Sequence, residues 1–117
     1  MKKFNSAFGF VLLIVLLIAC NPKIENAKTV KVTVYGNCGM CKKTIEKAAN
    51  KSGIVESNWD PSTKILVVTF DKKKTNLEKI LKKIASVGYD SEDFRSRDIN
   101  YKQLHSCCQY DRPNPKE

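Results

Sequence analysis

Strand-like and helix-like segments alternate in the middle of this 117-residue chain, and their order restricts the possible folds more than any other feature. In "TVKVTVY", from Thr29 to Tyr35, every second residue is valine, which predicts a half-buried strand. Gly36 ends that run, and apolar residues then recur at helical spacing up to Ala49. Two further extended runs flank "DPST", residues 60–63, whose proline and small polar residues favour a hairpin turn.

A second helix and a weaker extended piece complete this order. Thr75 and Glu78 form a Thr-x-x-Glu capping box, which predicts where the helix begins. Its apolar residues follow the helical repeat, and Gly88 is expected to end it. A more polar extended piece runs from Tyr89 to about Phe94. The predicted order is strand, helix, strand, strand, helix, strand.

The N-terminus is typical of an export signal. Two lysines precede an apolar run that is too short to span a bilayer comfortably. The run ends in "LIAC", whose last residue is Cys20, and this sequence resembles the lipobox of bacterial lipoproteins. We therefore predict a signal peptide over residues 1–19, lipidation of Cys20 and a polar tether over residues 20–28. A plain cleaved signal or a short membrane anchor is the alternative.

A lipid on Cys20 would hold the protein on a bacterial membrane in the cell envelope. The residue after it, Asn21, is not the aspartate associated with retention at the inner membrane. The outer membrane or the periplasmic face is therefore the expected location.

Size and charge exclude several classes of function. Removing the first 19 of 117 residues leaves 98, enough for one small domain and too few for a sizeable substrate cavity. The net charge of +9 is spread over scattered lysines, with no interleaved aromatic residues, so an exported protein of this kind is not expected to bind nucleic acid. His105 is the only histidine and has no serine and aspartate partners at credible spacing, so we do not expect an enzyme.

Cys38 and Cys41 carry the clearest chemical signal. In "CGMC" both sulfurs can face one point at the start of a helix, where the helix dipole and free backbone N–H groups favour thiolate. Thiolates prefer soft ions such as Cu(I), Zn(II) and Hg(II) over magnesium and calcium. Two thiolates suffice for a near-linear Cu(I) site but not for a closed zinc site, so Cu(I) is the ion we expect. Met40, between the cysteines, is expected to pack in the loop.

Two other interpretations of this pair stay open. The motif is similar to the Cys-Gly-Pro-Cys type of redox site, so Cys38 and Cys41 could exchange thiol and disulfide. The core between Thr29 and Phe94 is shorter than a thioredoxin domain, which argues against this role. A purely structural disulfide is the other interpretation, although one closing so short a loop stabilises little.

The segments "KVTVYGNCGMCKKTIEKA", "GIVESNWDPSTKILVVTFD" and "LKKIASVGYD" resemble the heavy-metal-associated domain of copper chaperones and periplasmic mercury-binding proteins. The resemblance covers about residues 29–94. It implies an α+β, ferredoxin-like βαββαβ sandwich, in which a four-stranded antiparallel sheet carries two helices. It also implies that Cys38 and Cys41 bind the metal in a chaperone, scavenger or homeostasis protein, with a metal-exchange protein as a possible partner. Tyr89 falls where the family places a residue beside the metal loop. The family usually has a methionine beneath this loop, and Gly36 stands in its place.

The tail over residues 95–117 lies outside this resemblance. It contains Cys107, Cys108 and His105, a dense group of soft and borderline ligands in an oxidising compartment. We predict that the tail folds back towards the Cys38 loop and that one or both cysteines add ligands, which would suit storage or scavenging. Its aromatic and apolar residues can support a short helix, and its proline-containing end is expected to be mobile. A mobile tail with incidental thiols is the alternative, with or without a role in binding a partner.

Overall fold

A computed structural model describes residues 23–115. The elements in chain order are β1 (Ala27–Thr33), α1 (Gly39–Ala49), β2 (Val55–Trp59), β3 (Ile65–Asp71), α2 (Leu77–Ser86) and α3 (Asp98–Lys102), followed by a 3-10 turn at Ser106–Cys108. The predicted signal peptide and the predicted lipidation site Cys20 lie outside the described residues. Within residues 23–115 no helix has both the length and the apolar character needed to cross a bilayer.

The strands form one antiparallel sheet in the order β1-β3-β2. In the central strand, Val68 lies opposite Val30 of β1, and Leu66 lies opposite Trp59 of β2. Leu66, Val68 and Phe70 are buried, which confirms that the alternate residues of this strand face the core.

The four-stranded sheet expected from the sequence is not confirmed. Over the described residues, the segment from Tyr89 to Phe94 contributes a single bridge beside β1, between Val34 and Ser91. The segment turns back on itself, because the Ser91 N–H donates to the Phe94 carbonyl at 2.8 Å and the Phe94 N–H donates to the Ser91 hydroxyl at 3.2 Å. These bonds use backbone groups that a fourth strand would need for pairing. The fold is therefore α+β with a three-stranded sheet.

One hydrophobic core joins the sheet to the two longer helices. The helical residues that enter it are Cys41, Ile45 and Ala49 of α1 and Ile80, Leu81 and Ile84 of α2. These are the positions that the helical spacing of the sequence predicts, and α1 packs against both β2 and α2.

The start of α2 differs from the capping box predicted at Thr75 and Glu78. Asn76 is the N-cap residue, and its side-chain oxygen accepts from the Lys79 N–H at 2.9 Å. Asparagine is at least as good an N-cap as threonine, so the helix begins one residue later than predicted.

The tail packs against the domain. The predicted short helix is present as α3, and Leu104 and Tyr101 pack against the core. Gly88 has φ +105°, and a Cβ there would lie 2.9 Å from the Asn100 carbonyl, so only glycine suits this close contact. The proline-containing end, expected to be mobile, is bonded to the start of the tail, because the Pro113 carbonyl accepts from the Arg95 guanidinium at 2.6 Å.

Candidate metal centre

Cys38 and Cys41 lie where the loop after β1 meets helix α1. Cys38 is the N-cap residue, with extended backbone and an exposed side chain. Cys41 is in the first turn and has no exposed surface. The first backbone N–H groups of a helix have no hydrogen-bond partner within the helix. The backbone N–H of Asn37, in the loop before α1, donates to the Cys41 sulfur at 3.5 Å. The pair therefore occupies the helix start that the sequence predicts.

A third sulfur comes from the tail. The Sγ atoms of Cys38, Cys41 and Cys108 all lie within 4.8 Å of one another, and we call them the three-sulfur cluster. Cys108 is buried in the 3-10 turn. Cys107 is exposed and lies outside the cluster, with its sulfur 3.9 Å from that of Cys108. His105 is exposed and is not part of the cluster either.

Trp59 packs against the loop that precedes α1, beside Gly36. Its ring has no exposed surface, and its indole N–H donates to the Val34 carbonyl at 2.8 Å. A Cβ placed on Gly36 would lie 2.9 Å from Cη2 of this ring and 3.4 Å from Cβ of Cys41. The indole therefore fills space directly beside Gly36, where the family resemblance leads us to expect a methionine. Trp59 is thus part of the hydrophobic core.

Tyr89 is buried next to Cys41 and Cys108. Its side chain is 1% exposed, and its ring stacks on that of Tyr110 with centroids 5.8 Å apart. Burial, together with hydrogen bonding to Cys41 and the charge of that thiolate, raises the pKa of Tyr89 far above its usual value. Tyr89 therefore keeps its proton and can donate it in a hydrogen bond to sulfur. The predicted position of Tyr89 beside the metal loop is confirmed.

The two buried thiols differ in their acidity. Burial raises the pKa of Cys41, but hydrogen bonds from the backbone of Asn37 and Cys38 and from Tyr89 outweigh it and leave this pKa below its ordinary value. Burial, followed by hydrogen bonding to Cys41 and the charge of its thiolate, raises the pKa of Cys108 to about 12. Cys41 is therefore the readier thiolate, and Cys108 keeps its proton near neutral pH.

Lys42 is held away from the sulfurs. Its ammonium group lies 2.6 Å from Glu46 Oε2, 2.5 Å from Asn58 Oδ1 and 3.0 Å from the Trp59 carbonyl. Glu46 Oε2 also accepts from the backbone N–H of Trp59 at 2.9 Å. These bonds tie α1 to the end of β2 and so fix the helix start against the indole of Trp59.

The remaining residues of the motif have minor places in the site. Met40 is 50% exposed, so the loop-packing role expected from the sequence is not confirmed. The amide of Asn37 reaches the tail, since its Nδ2 donates to the Cys107 carbonyl at 3.2 Å. No pattern in the sequence marks this contact, because it joins a loop residue to a residue far along the chain.

Residues 37–90 match the heavy-metal-associated domain. A mercuric transport protein periplasmic component from Pseudomonas fluorescens is 32% identical over 93 residues, which cover 78% of this chain and 96% of the relative. The chain belongs to the heavy-metal-associated domain family. The family match ends at residue 90, before the tail that carries Cys108.

Two solved structures share the fold. Oxidised MerP from Ralstonia metallidurans CH34 is 37% identical with a TM-score of 0.52, and the match covers 56% of this chain and 94% of MerP. The CopZ metallochaperone is 26% identical with a TM-score of 0.52, and the match covers 55% of this chain and 98% of CopZ. The ferredoxin-like α+β architecture implied by the resemblance is thus confirmed.

Proposed function

We propose that this protein binds one soft heavy-metal ion through the thiolates of Cys38 and Cys41. The convergence of sulfurs within 4.8 Å at the start of α1 carries this proposal. Sulfur ligands prefer soft ions, and the lowered pKa of Cys41 favours the thiolate form that binds them. The exposed side chain of Cys38 leaves the ion open to exchange with another protein.

Hg(II) is the ion that the comparisons support best. The Pseudomonas fluorescens relative is named a mercuric transport protein periplasmic component, and MerP is the more similar of the two solved structures described above. The sequence led us to expect Cu(I), with Hg(II) and Zn(II) as alternatives. Cu(I) stays the second candidate, because two thiolates suffice for it and because the fold matches a metallochaperone, CopZ. A closed zinc site needs four ligands, one more than the cluster offers.

The proposed role is transport or scavenging of the ion outside the cytoplasm. The periplasmic relative and the apolar N-terminal run both favour export. We further propose that Cys20 is acylated, so that the residues between Cys20 and β1 tether the domain to a membrane of the cell envelope. The expected tether over residues 20–28 is thereby shortened, since Ala27 and Lys28 pair with β3. A partner protein with its own thiolates would then receive the ion by ligand exchange.

Competition between metals tests this proposal. The full-length chain with Cys20→Ser, reduced and kept free of oxygen, is titrated with Hg(II), Cu(I) and Zn(II) in the presence of a competing thiol. We expect native mass spectrometry to show one ion per chain, with Hg(II) retained against the other two ions. A chain that retains none of these ions, or that prefers Zn(II), would contradict the proposal.

The redox interpretation is tested on the same sample. A solved relative is described as oxidised, so the Cys38–Cys41 pair is expected to close a disulfide when no metal is bound. If metal binding is the function, Hg(II) should protect both thiols from an oxidant such as oxidised glutathione. Turnover of a disulfide substrate by the metal-free chain would instead favour the redox role.

A further inference from the structure

The tail reaches the metal loop through residues 104–112, which we call the C-terminal clasp. At its beginning, Asn37 donates from Nδ2 to the Cys107 carbonyl at 3.2 Å. The Cys108 N–H donates to the His105 carbonyl at 2.8 Å and closes the turn in which Cys108 is buried. These bonds hold the turn beside Cys38 without using any sulfur atom.

Tyr110 binds the middle of the C-terminal clasp to residues 88–90. Its ring stacks on Tyr89, and its hydroxyl accepts from the Asp90 N–H at 2.7 Å and donates to the Gly88 carbonyl at 2.9 Å. The Tyr101 hydroxyl donates to the Tyr110 carbonyl at 2.6 Å. The clasp is therefore bound to residues 88–90, which include the tyrosine that touches the cluster.

Arg112 fastens the end of the clasp to a buried carboxylate. Its Nε lies 2.8 Å from Asp90 Oδ2, and its Nη2 lies 3.0 Å from Asp90 Oδ1 and 2.6 Å from the Ser96 carbonyl. Its Nη1 donates to Asp98 Oδ1 at 2.7 Å. Asp90 has no exposed surface, so removing the Arg112 guanidinium would leave this buried charge with only the Ser96 N–H at 2.6 Å and the Arg95 guanidinium at 4.0 Å. This ion pair holds the clasp closed.

Given the proposed function, we infer that Cys108 is a third thiolate ligand, which the clasp delivers to the ion held by Cys38 and Cys41. Buried free cysteines are often no more than small apolar residues in a core. Cys108 differs because its sulfur shares a 4.8 Å cluster with that of Cys38, whose side chain is exposed. An ion that enters at Cys38 therefore meets all three sulfurs.

The spacing of the sulfurs fits a three-coordinate ion. With bonds of about 2.3 Å, the zinc–sulfur value, three sulfurs around a planar three-coordinate centre lie about 4 Å apart. The cluster is within 4.8 Å, so small side-chain movements close the site. Release to a partner then requires a third metal–sulfur bond to break, and the clasp favours retention over rapid exchange. Cys107 is not a ligand in this arrangement.

Sulfur counts by X-ray absorption spectroscopy test the assignment. The full-length chain with Cys20→Ser is loaded with one equivalent of Hg(II) or Cu(I), alone and with Cys108→Ser, Cys107→Ser or Ser106→Ala. We expect three sulfur neighbours in the parent and in the Ser106→Ala control, and two with Cys108→Ser. If Cys107→Ser lowers the count instead, the wrong cysteine has been assigned. A two-sulfur site in the parent refutes the inference while leaving the proposed function intact, whereas a parent that binds neither ion refutes the proposed function.

Variants of the clasp test its positioning role without removing a sulfur. With Arg112→Gln or Tyr110→Phe we expect Hg(II) transfer to a competing thiol to become about tenfold faster, the scale typical of losing a residue that orients a ligand. Thermal unfolding of the metal-free chains shows whether each variant is folded, and Tyr110→Phe keeps the ring stack if Arg112→Gln does not fold. Transfer rates equal to the parent in a folded variant would overturn the positioning role.

Discussion

Adding a side chain at Gly36 should destabilise the domain, because Trp59 occupies the space beside it. A Cβ at this position would lie 2.9 Å from Cη2 and 3.0 Å from Cζ2 of the indole. The ring cannot easily move, since it is fully buried and its N–H is bonded to the Val34 carbonyl at 2.8 Å. Overpacking of this kind costs about 1–3 kcal/mol, so Gly36→Ala should lower the free energy of unfolding by that amount. Gly36→Met, which introduces the residue usual in the family, should lower it further.

A double-mutant cycle in urea separates this clash from other effects of losing glycine. Trp59→Leu removes the atoms that meet the new Cβ, but it also leaves a cavity and costs about 2–4 kcal/mol by itself. Because the clash is absent once the indole is gone, Gly36→Met with Trp59→Leu should be less destabilised than the sum of the two single variants by about 1 kcal/mol or more. Additive effects would refute the explanation that Trp59 takes the place of the family methionine.

Three further predictions concern the clasp, the buried thiol and the anchor. Arg112→Met should lower the free energy of unfolding by about 2–3 kcal/mol, because buried Asp90 loses its closest cation and keeps only the Ser96 N–H and the more distant Arg95; urea denaturation measures this, and a loss below about 1 kcal/mol would contradict the role of the ion pair. Burial, with the bonding and charge of Cys41, raises the pKa of Cys108 from 9.0 to about 12. The folded state therefore holds the Cys108 proton more tightly than the unfolded state does. The resulting contribution to the free energy of unfolding is complete below pH 9 and is lost as the pH rises towards 12. In the metal-free protein, Cys108→Ala should reduce the fall in the free energy of unfolding between pH 9 and 12. An unchanged dependence of this free energy on pH would argue against the explanation. Cys20→Ala should release the protein from membranes, and mass spectrometry of the mature N-terminus should find a lipid on Cys20; an unmodified start elsewhere would overturn the lipoprotein prediction.

Local periodicity was sufficient to predict the parts of the fold that depend on neighbouring residues. The alternating valines from Thr29 to Tyr35 predict a half-buried strand, and Val32 and Val34 are buried. The helical spacing of the apolar residues predicts the buried face of α2. The positions of Cys38 and Cys41 at a helix start follow from the same patterns, since the loop ends where the helical spacing begins. Each of these inferences uses residues only a few positions apart.

Most contacts between distant parts of the chain could not be predicted. The turn at Ser91 replaces a fourth strand through bonds that no period reveals, and Trp59 meets Gly36 only after β2 is placed beside α1. The pairing of Arg112 with Asp90 likewise depends on the folded tail. Charged residues are common on the surface, so the sequence does not show which of them will pair with a buried carboxylate.

Ligand chemistry predicts part of the position of the tail. A group of cysteines in an oxidising compartment gave a reason for the tail to approach the metal loop, but it did not distinguish Cys107 from Cys108. The structure distinguishes them because they lie in a 3-10 turn, where successive side chains are rotated by about 120°. One cysteine therefore faces the cluster while its neighbour stays exposed.

Binding of Hg(II) to the full-length chain with and without the cysteine pair tests the central claim most directly. On a Cys20→Ser background, the affinity is measured by competition with a thiol for the parent and for Cys38→Ser with Cys41→Ser, and circular dichroism checks the fold. We predict that the parent binds one ion per chain and that the double variant keeps its fold but loses this tight binding. Unchanged affinity in a folded double variant would contradict the claim that Cys38 and Cys41 hold the ion.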